Sequence, residues 1–181
     1  MYRLRGVYEP WGDYGNILVS GLVDRDETSG LLLIERTGPF VPPISIGGLY
    51  SPVVVTDSFR RELEGSGLTG FGFQPAVKQR IVRLAWERWD RSAAEPAEYP
   101  AEGEPENYVL GRQHDPELAE AIGPLWELQA ESENVAVGQP DFLRDTQYFS
   151  SIYVSAAAYE WLAARAGEWL RFEDPSSREQ V

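Results

Sequence analysis

Apolar positions along the first part of the chain alternate with polar ones or form short clusters between turn-rich stretches. The apolar stretches cover residues 2–8, 16–23 and 31–35. A period of two is typical of strands that bury one face, so this pattern predicts an N-terminal antiparallel meander of three strands. The next segment, residues 37–52, is rich in proline and glycine, which predicts a loop rather than a helix or a central strand.

Residues 53–73 carry the clearest pattern in the chain. Three valines predict a buried strand, and a helix is predicted to follow because Phe59 and Leu63, four residues apart, lie on one helix face. Residues 68–73 then return as a strand, which completes a β-α-β unit. The residues suited to cap this helix at its start and its end are Thr56 or Asp57 and Gly65 or Gly67.

The same pattern recurs 99 residues later, within residues 152–173. The equivalent positions are Thr56 and Ser155, Leu63 and Leu162, and Phe73 and Phe172. Both copies consist of a strand, a hydroxyl cap, a short helix, a turn and a strand, which indicates two related β-α-β units. We therefore predict an α+β fold, with a mainly antiparallel sheet and a few short helices. We expect one domain over residues 1–175, followed by a frayed tail at residues 176–181.

Three further elements are predicted between the two copies. Residues 80–89 are ambiguous in period, and their β-branched and aromatic side chains favour an edge strand. Residues 108–110 are predicted to form a short strand. Asp115 is a suitable N-cap, and Pro116 suits the first position of a helix that ends before Gly123.

Charge is distributed unevenly along the chain. The formal net charge of the 181 residues is −13, and residues 92–145 contain 13 acidic but only two basic side chains. Such acidity repels phosphate backbones, so nucleic acid is not an expected partner, whereas a basic protein would be attracted. The sequence contains no long apolar segment and no apolar leader, so we expect no membrane association and a cytoplasmic location.

Candidate catalytic and cofactor-binding motifs are weak. The chain has no cysteine and one histidine, which excludes thiolate chemistry and multi-histidine metal sites. Gly65, Gly67 and Gly70 match a dinucleotide-binding pattern, but they follow a predicted helix and precede a strand, the reverse of the order that this site requires. His114 adjoins Asp115, which is better explained as a helix cap. We therefore predict no catalytic, cofactor-binding or metal-binding residues.

Residues 92–107 form a run of five glutamates without a basic residue, interrupted by three prolines. This composition predicts a solvated loop. Tyr99 within the run and Tyr108 directly after it make it a candidate partner contact, since tyrosine is buried at interfaces at a small entropic cost. The candidate contact residues are Glu95, Glu98, Tyr99, Glu102, Glu104, Glu106 and Tyr108.

Three segments carry a resemblance to a known family. They are LLLIERTGPFVPPI, VVVTDSFRRELEGSGLTGFGF and the C-terminal YVSAAAYEWL with WLRFE. In this order they resemble the predicted immunity proteins of bacterial contact-dependent, polymorphic toxin systems, including myxobacterial paralogues whose relatives carry two C-x-x-C-G pairs. The present chain has no cysteine and therefore lacks that feature. The resemblance implies an immunity protein that neutralises a cognate toxin by stoichiometric binding, without catalytic residues.

Two other classes of function stay open at this stage. The 29 acidic and 22 aromatic residues could form a carboxylate-based enzyme site, for example one acting on carbohydrate. A non-inhibitory structural or scaffold role is the second alternative. The acidic charge would complement a basic toxin, which makes toxin neutralisation the most concrete expectation. The identity of the toxin and the oligomeric state stay open.

Overall fold

Ten β-strands and five helices form the part of the chain that the computed structural model describes, which comprises residues 1–47, 52–85, 89–132, 139–145 and 151–174. The strands are β1 (Tyr2–Gly6), β2 (Leu22–Arg25), β3 (Leu32–Gly38), β4 (Ile44–Ile46), β5 (Val53–Thr56), β6 (Phe71–Arg83), β7 (Leu125–Ser132), β8 (Phe142–Arg144), β9 (Ile152–Val154) and β10 (Leu170–Glu173). The helices are α1 (Asp13–Ser20), α2 (Asp57–Glu64), α3 (Asn107–Leu110), α4 (Pro116–Ile122) and α5 (Ala156–Ala166).

The strands form one sheet that is mainly antiparallel. Its main path runs β10-β1-β9-β8-β7-β6-β3-β2, and β5 pairs with both β7 and β4 beside that path. Within the described ranges, the parallel pairs are β3 with β6 and β7 with β8. The predicted α+β class with a mainly antiparallel sheet is therefore confirmed.

Both predicted β-α-β units are present, and each is split by a strand from the other half of the chain. β5 and β6 flank β7 and are antiparallel to it, while β9 and β10 flank β1 in the same way. The two strands of each unit are therefore parallel to each other without being neighbours. A preceding strand also adds antiparallel to the first strand of each unit, β4 to β5 and β8 to β9.

The registers of the two units match residue for residue. Trp126 of β7 lies opposite Val55, as Tyr2 of β1 lies opposite Val154. Two residues further along the inserted strands, Leu128 lies opposite Phe73, as Leu4 lies opposite Phe172. The separation of 99 residues therefore holds in the sheet as in the sequence. The two halves therefore repeat one arrangement, in which each half gives its first strand to the other. We call β1, β4–β6 with α2, and β7–β10 with α5 the duplicated framework.

The two helices of the framework have equivalent caps and equivalent buried residues. The hydroxyl of Thr56 accepts from the Phe59 amide, and that of Ser155 accepts from the Ala158 amide. Leu63 and Leu162 are both fully buried in the largest core cluster, which also draws on strands from β1 to β10. The ring of Phe59 contacts that of Trp161 edge to face, with a centroid separation of 5.5 Å, so the two helices pack against each other.

Two predicted strands are helices, and the predicted N-terminal meander is wrong. Residues 13–20 form α1, because Gly15, Leu18 and Val19 lie on one face at helical spacing and are buried together. β1 consequently pairs with β9 and β10 instead of with β2. The predicted strand at residues 108–110 belongs to α3, which buries Tyr108 and Val109.

Other local predictions are confirmed. Asp115 caps α4 by accepting from the Leu118 amide, Pro116 opens the helix, and Gly123 follows its end at a positive φ of 75°. The predicted edge strand at residues 80–89 is confirmed only in part. Residues 80–83 form the end of β6, which lies between β7 and β3 in the sheet, residues 84, 85 and 89 are not strand, and residues 86–88 lie outside the described residues. The loop predicted at residues 37–52 contains the short strand β4, and its residues 48–51 lie outside the described residues. The predicted tail at residues 176–181 lies outside the described residues.

Candidate partner-binding surface

Residues 92–107, here called the acidic segment, lie against the N-terminal half of α1. The hydroxyl of Tyr14, in the first turn of α1, donates to the Gly103 carbonyl. The same ring packs edge to face on Tyr99 at 5.1 Å and on Tyr108 at 6.2 Å between centroids. Contacts among three tyrosines therefore hold the acidic segment against α1.

Tryptophan side chains hold the beginning of the acidic segment. The indole Nε1 of Trp11 donates to the Ala93 carbonyl over 3.0 Å, and its ring contacts that of Trp89 at a centroid separation of 5.6 Å. In the structure Trp11 joins the loop before α1 to a segment that lies 82 residues further along the chain.

An ion pair between a buried carboxylate and a half-buried arginine lies next to this aromatic contact. The guanidinium of Arg91 lies 3.1 Å from Glu9 Oε2 and over the ring of Trp169, 4.8 Å from its centroid. Burial raises the pKa of Glu9, although the charge and the hydrogen bond of Arg91 lower it. Gly15 permits the close packing, since a Cβ there would lie 2.6 Å from the Cβ of Glu9. Sequence reasoning missed this pair because its members are distant in the chain.

The candidate contact residues come together on one segment but differ in exposure. Glu95, Glu98, Tyr99, Glu102 and Glu104 are exposed, Glu106 is half-buried, and Tyr108 is buried. Half of the Tyr99 side chain is accessible, whereas Tyr108 is only 7% accessible. The exposed members offer a continuous acidic run to a partner. Tyr108 instead is buried beneath these exposed residues.

Tyr108 acts as a neutral hydrogen-bond donor. Burial raises the pKa of its phenol, and the neighbouring Tyr14 and Tyr99 raise it further. Its hydroxyl donates to the Glu98 carbonyl. The backbone of the segment is therefore fixed at Glu98, at Gly103 and at Ala93, while the glutamate side chains point outward.

A cavity of about 270 Å³ opens between the acidic segment, α1 and the chain that follows β6. Its walls include the rings of Trp11, Trp89 and Tyr108 and the aliphatic side chain of Leu18, and the exposed Glu98 lies at its edge. This apolar hollow adjoins the acidic surface, and we call it the tryptophan pocket.

Both the acidic segment and the tryptophan pocket lie outside the duplicated framework. They are built from α1 with the loop before it, and from the connection between β6 and β7. The connection from β7 to β8 is the equivalent, in the second half, of the connection from β1 to β4 that contains α1, and it spans only nine residues. Binding residues are commonly carried on connections that a rigid scaffold positions. The acidic segment and the tryptophan pocket both lie on connections of this kind.

The buried carboxylates of the described residues are those of Glu9 and Glu127, and each is paired with an arginine. Glu127 in β7 accepts from both terminal nitrogens of Arg25, at 2.5 and 3.1 Å, in a bidentate geometry. Glu9 is held by Arg91 as described above. Each carboxylate is therefore neutralised by its own arginine, whereas a pair for acid and base catalysis must share one space.

The weak catalytic motifs have structural roles. His114 Nδ1 accepts from the Ile81 amide over 3.0 Å, which attaches the loop before α4 to β6. Gly67 and Gly70 adopt positive φ values of 79° and 84° between α2 and β6, as the helix-to-strand order predicted. In the described ranges, no group of three or more potential ligands could hold a metal ion, and no helix has the length and apolarity needed to cross a bilayer.

One buried arginine was not anticipated from the sequence. Arg36 in β3 is fully buried and donates to the Val19 carbonyl over 2.7 Å, at the C-terminal end of α1. Burial lowers the pKa of its guanidinium to about 10. A cation is favoured at a helix C-terminus, so Arg36 fixes α1, and with it Tyr14 and Trp11, to the sheet.

Comparison of the chain with protein-family models, with curated proteins and with solved structures finds no match in any of the three.

Proposed function

We propose that this chain is an immunity protein that neutralises a cognate, basic bacterial toxin in the cytoplasm by stoichiometric binding through the acidic segment. The observation that carries this proposal is the geometry of that segment. It presents four exposed glutamates on a backbone that Tyr14, Trp11 and Tyr108 hold in place. A surface that is ordered before binding loses little conformational entropy in the complex.

Charge supports the choice of a basic partner. The acidic segment contains no basic residue, so none of its own side chains offsets its negative charge. Complementary charge increases the rate of association more than it increases affinity, and this suits a protein that must capture a toxin quickly. Neutralisation by occlusion requires no nucleophile, metal or cofactor. The resemblance noted in the sequence points to the same class of protein.

The direct test is protection of a host cell. The polypeptide encoded next to this chain would be expressed in a sensitive bacterium, alone and together with the present protein. We expect growth arrest in the first case, normal growth in the second, and a 1:1 complex of the purified proteins. Unrelieved arrest together with no complex would reject the proposal. Turnover of a substrate by the present protein alone would favour the carboxylate-enzyme alternative instead.

A charge variant tests whether the acidic segment is the contact. Replacing Glu98, Glu102 and Glu104 together by glutamine should slow association several-fold, because steering by exposed charges weakens. The parent rate should also fall as salt shortens the Debye length from about 30 Å at 0.01 M to about 8 Å at 0.15 M. Dissociation should change less.

The matched control removes the same charge from other elements. Glu27, Glu131 and Glu160 are exposed residues of the β2-β3 turn, β7 and α5, and their replacement by glutamine should change association far less. Equal rates for both triple variants would place the contact outside the acidic segment. Melting temperatures of both variants should stay close to that of the parent, since surface substitutions change stability little.

A further inference from the structure

We propose that the tryptophan pocket receives one large apolar side chain, aromatic or leucine, from a basic segment of the partner. This inference rests on the proposed function and extends it, because it assigns the chemistry of the partner's anchor. The acidic segment would then steer the partner, and the pocket would hold it.

The size of the pocket fits one such side chain. Its volume is about 270 Å³, and an engineered apolar cavity of about 150 Å³ is large enough to bind benzene. A phenyl, indole or isobutyl group can therefore enter with its Cβ. A glycine or an alanine would leave most of the space unfilled.

The walls of the pocket are typical of the centre of a protein interface. Trp11 and Trp89 contact each other there, and Tyr108 and Leu18 complete an apolar lining. Tryptophan and tyrosine are enriched among the residues that contribute most binding energy, because each buries a large rigid surface. An aromatic anchor would also gain edge-to-face contacts with these rings.

The pocket is held open by hydrogen bonds that do not involve a ligand. Trp11 Nε1 donates to the Ala93 carbonyl over 3.0 Å, and the Tyr108 hydroxyl donates to the Glu98 carbonyl. Both bonds join a wall to the acidic segment. A side chain that enters would therefore meet walls already in position, which lowers the entropic cost of binding.

Charge complementarity decides which residues flank the anchor. Glu98 is exposed at the edge of the pocket and belongs to a segment without basic residues. Arg112, also on the lining, donates to the Arg83 carbonyl over 3.0 Å and lies beyond the acidic segment. Lysine or arginine on either side of the anchor would face Glu98 and its neighbours, whereas an acidic flank would be repelled.

The experiment uses the full chain and synthetic peptides. The first probe is Arg-Lys-Phe-Lys-Arg, and the matched probes are Arg-Lys-Gly-Lys-Arg and Glu-Asp-Phe-Asp-Glu. Binding is followed by tryptophan fluorescence and by calorimetry at low salt. We expect the basic phenylalanine peptide to bind about tenfold more tightly than the basic glycine peptide, and the acidic peptide to bind more weakly than either.

Variants that fill the pocket provide the decisive comparison. Ala85 and Ala97 are exposed residues on its lining, so Ala85→Phe and Ala97→Phe should occupy the space without disturbing the core. Each should reduce binding of the basic phenylalanine peptide to the level of the basic glycine peptide. Ala157→Phe, at an exposed position of α5, should leave all three affinities unchanged.

The outcomes separate this inference from the proposed function. Equal affinity for the phenylalanine and glycine peptides would overturn the proposed binding of an apolar side chain in the pocket, while leaving the immunity role intact. Full toxin protection by both pocket-filling variants would have the same meaning. Equal affinity for the basic and acidic phenylalanine peptides would overturn the assignment of a basic flank. If the parent protein did not protect cells from the toxin but still bound the peptides selectively, the immunity role alone would be rejected.

Discussion

Leu63 and Leu162 are predicted to contribute equally to stability, because the duplication places them in equivalent environments. Both side chains are fully buried, and both belong to the same core cluster. Replacing leucine by alanine removes three carbon atoms. At about 0.8 kcal/mol for each buried methylene, the lost transfer free energy is about 2.4 kcal/mol.

The cavity left behind adds to this cost. Well-packed sites that relax only partly lose a further amount of free energy, and measured totals for such substitutions are about 2.7–5 kcal/mol. We therefore expect Leu63→Ala and Leu162→Ala each to lower the free energy of unfolding by about 2.5–5 kcal/mol. The two values should agree within about 1 kcal/mol, a margin narrower than the spread of about 2.3 kcal/mol among buried leucine sites in general.

Urea denaturation followed by tryptophan fluorescence measures both free energies. The control is Glu160→Ala, at an exposed position of α5, which should change the free energy of unfolding by less than about 0.5 kcal/mol. The double leucine variant should depart from additivity, since α2 and α5 contact each other through Phe59 and Trp161. A parent-like transition in either single variant would contradict the packing described here and the equivalence of the two units.

Three further predictions concern charge, pH and chain connectivity. Replacing any one exposed carboxylate of the acidic segment by alanine should reduce toxin protection by far less than the loss of about 10³-fold typical of a catalytic group, as growth assays would show. Burial raises the pKa of Asp141, but hydrogen bonds from Ser155 and Thr69 more than offset this, so its pKa is lowered overall. The stabilisation from this carboxylate is then present above the ordinary aspartate range and is lost as the pH falls through the lowered value, so Asp141→Asn should destabilise at pH 7 but approach the parent in thermal melts once the pH falls below that lowered pKa. Fragments 1–111 and 112–181 should each be unfolded alone and should restore the parent circular dichroism when mixed, because each holds a strand that completes the other; independent folding of either fragment would contradict the exchange.

Local signals in the sequence predicted the framework helices well. A capping hydroxyl, an apolar pair four residues apart and a following glycine all act within one helix, so the pattern around Thr56 and Leu63 was sufficient to place α2. The equivalent pattern placed α5. The recurrence after 99 residues predicted the duplication for the same reason.

Elements whose structure depends on distant partners were not predictable in this way. Residues 16–20 are compatible with a strand or a helix. The helix α1 forms because two side chains of β3 donate hydrogen bonds to carbonyls at its C-terminal end, Arg36 to that of Val19 and Thr37 to that of Leu18. The linear pattern also does not indicate that β1 pairs with strands of the second half and β7 with strands of the first. Both facts depend on contacts that a linear pattern does not contain.

The candidate surface was predicted only in outline. Its negative charge is a property of composition, so the run from Glu95 to Glu106 was visible directly. The tryptophan pocket was not, because Trp11 and Trp89 are separated by 77 intervening residues and meet only in the folded chain. The buried position of Tyr108 was missed because its short helix was interpreted as a strand.

The position of β1 in the sheet determines when, during synthesis, the sheet can be completed. Among the described strands, β1 is synthesised before the others and its neighbour β10 after them, and Arg3 lies opposite Glu173. At about 5–20 residues per second, a ribosome needs roughly 10–30 seconds to pass from one to the other. Before β9 and β10 have been synthesised, both edges of β1 are without their sheet neighbours. Removal of β10 would likewise leave one edge of β1 unpaired and open to aggregation.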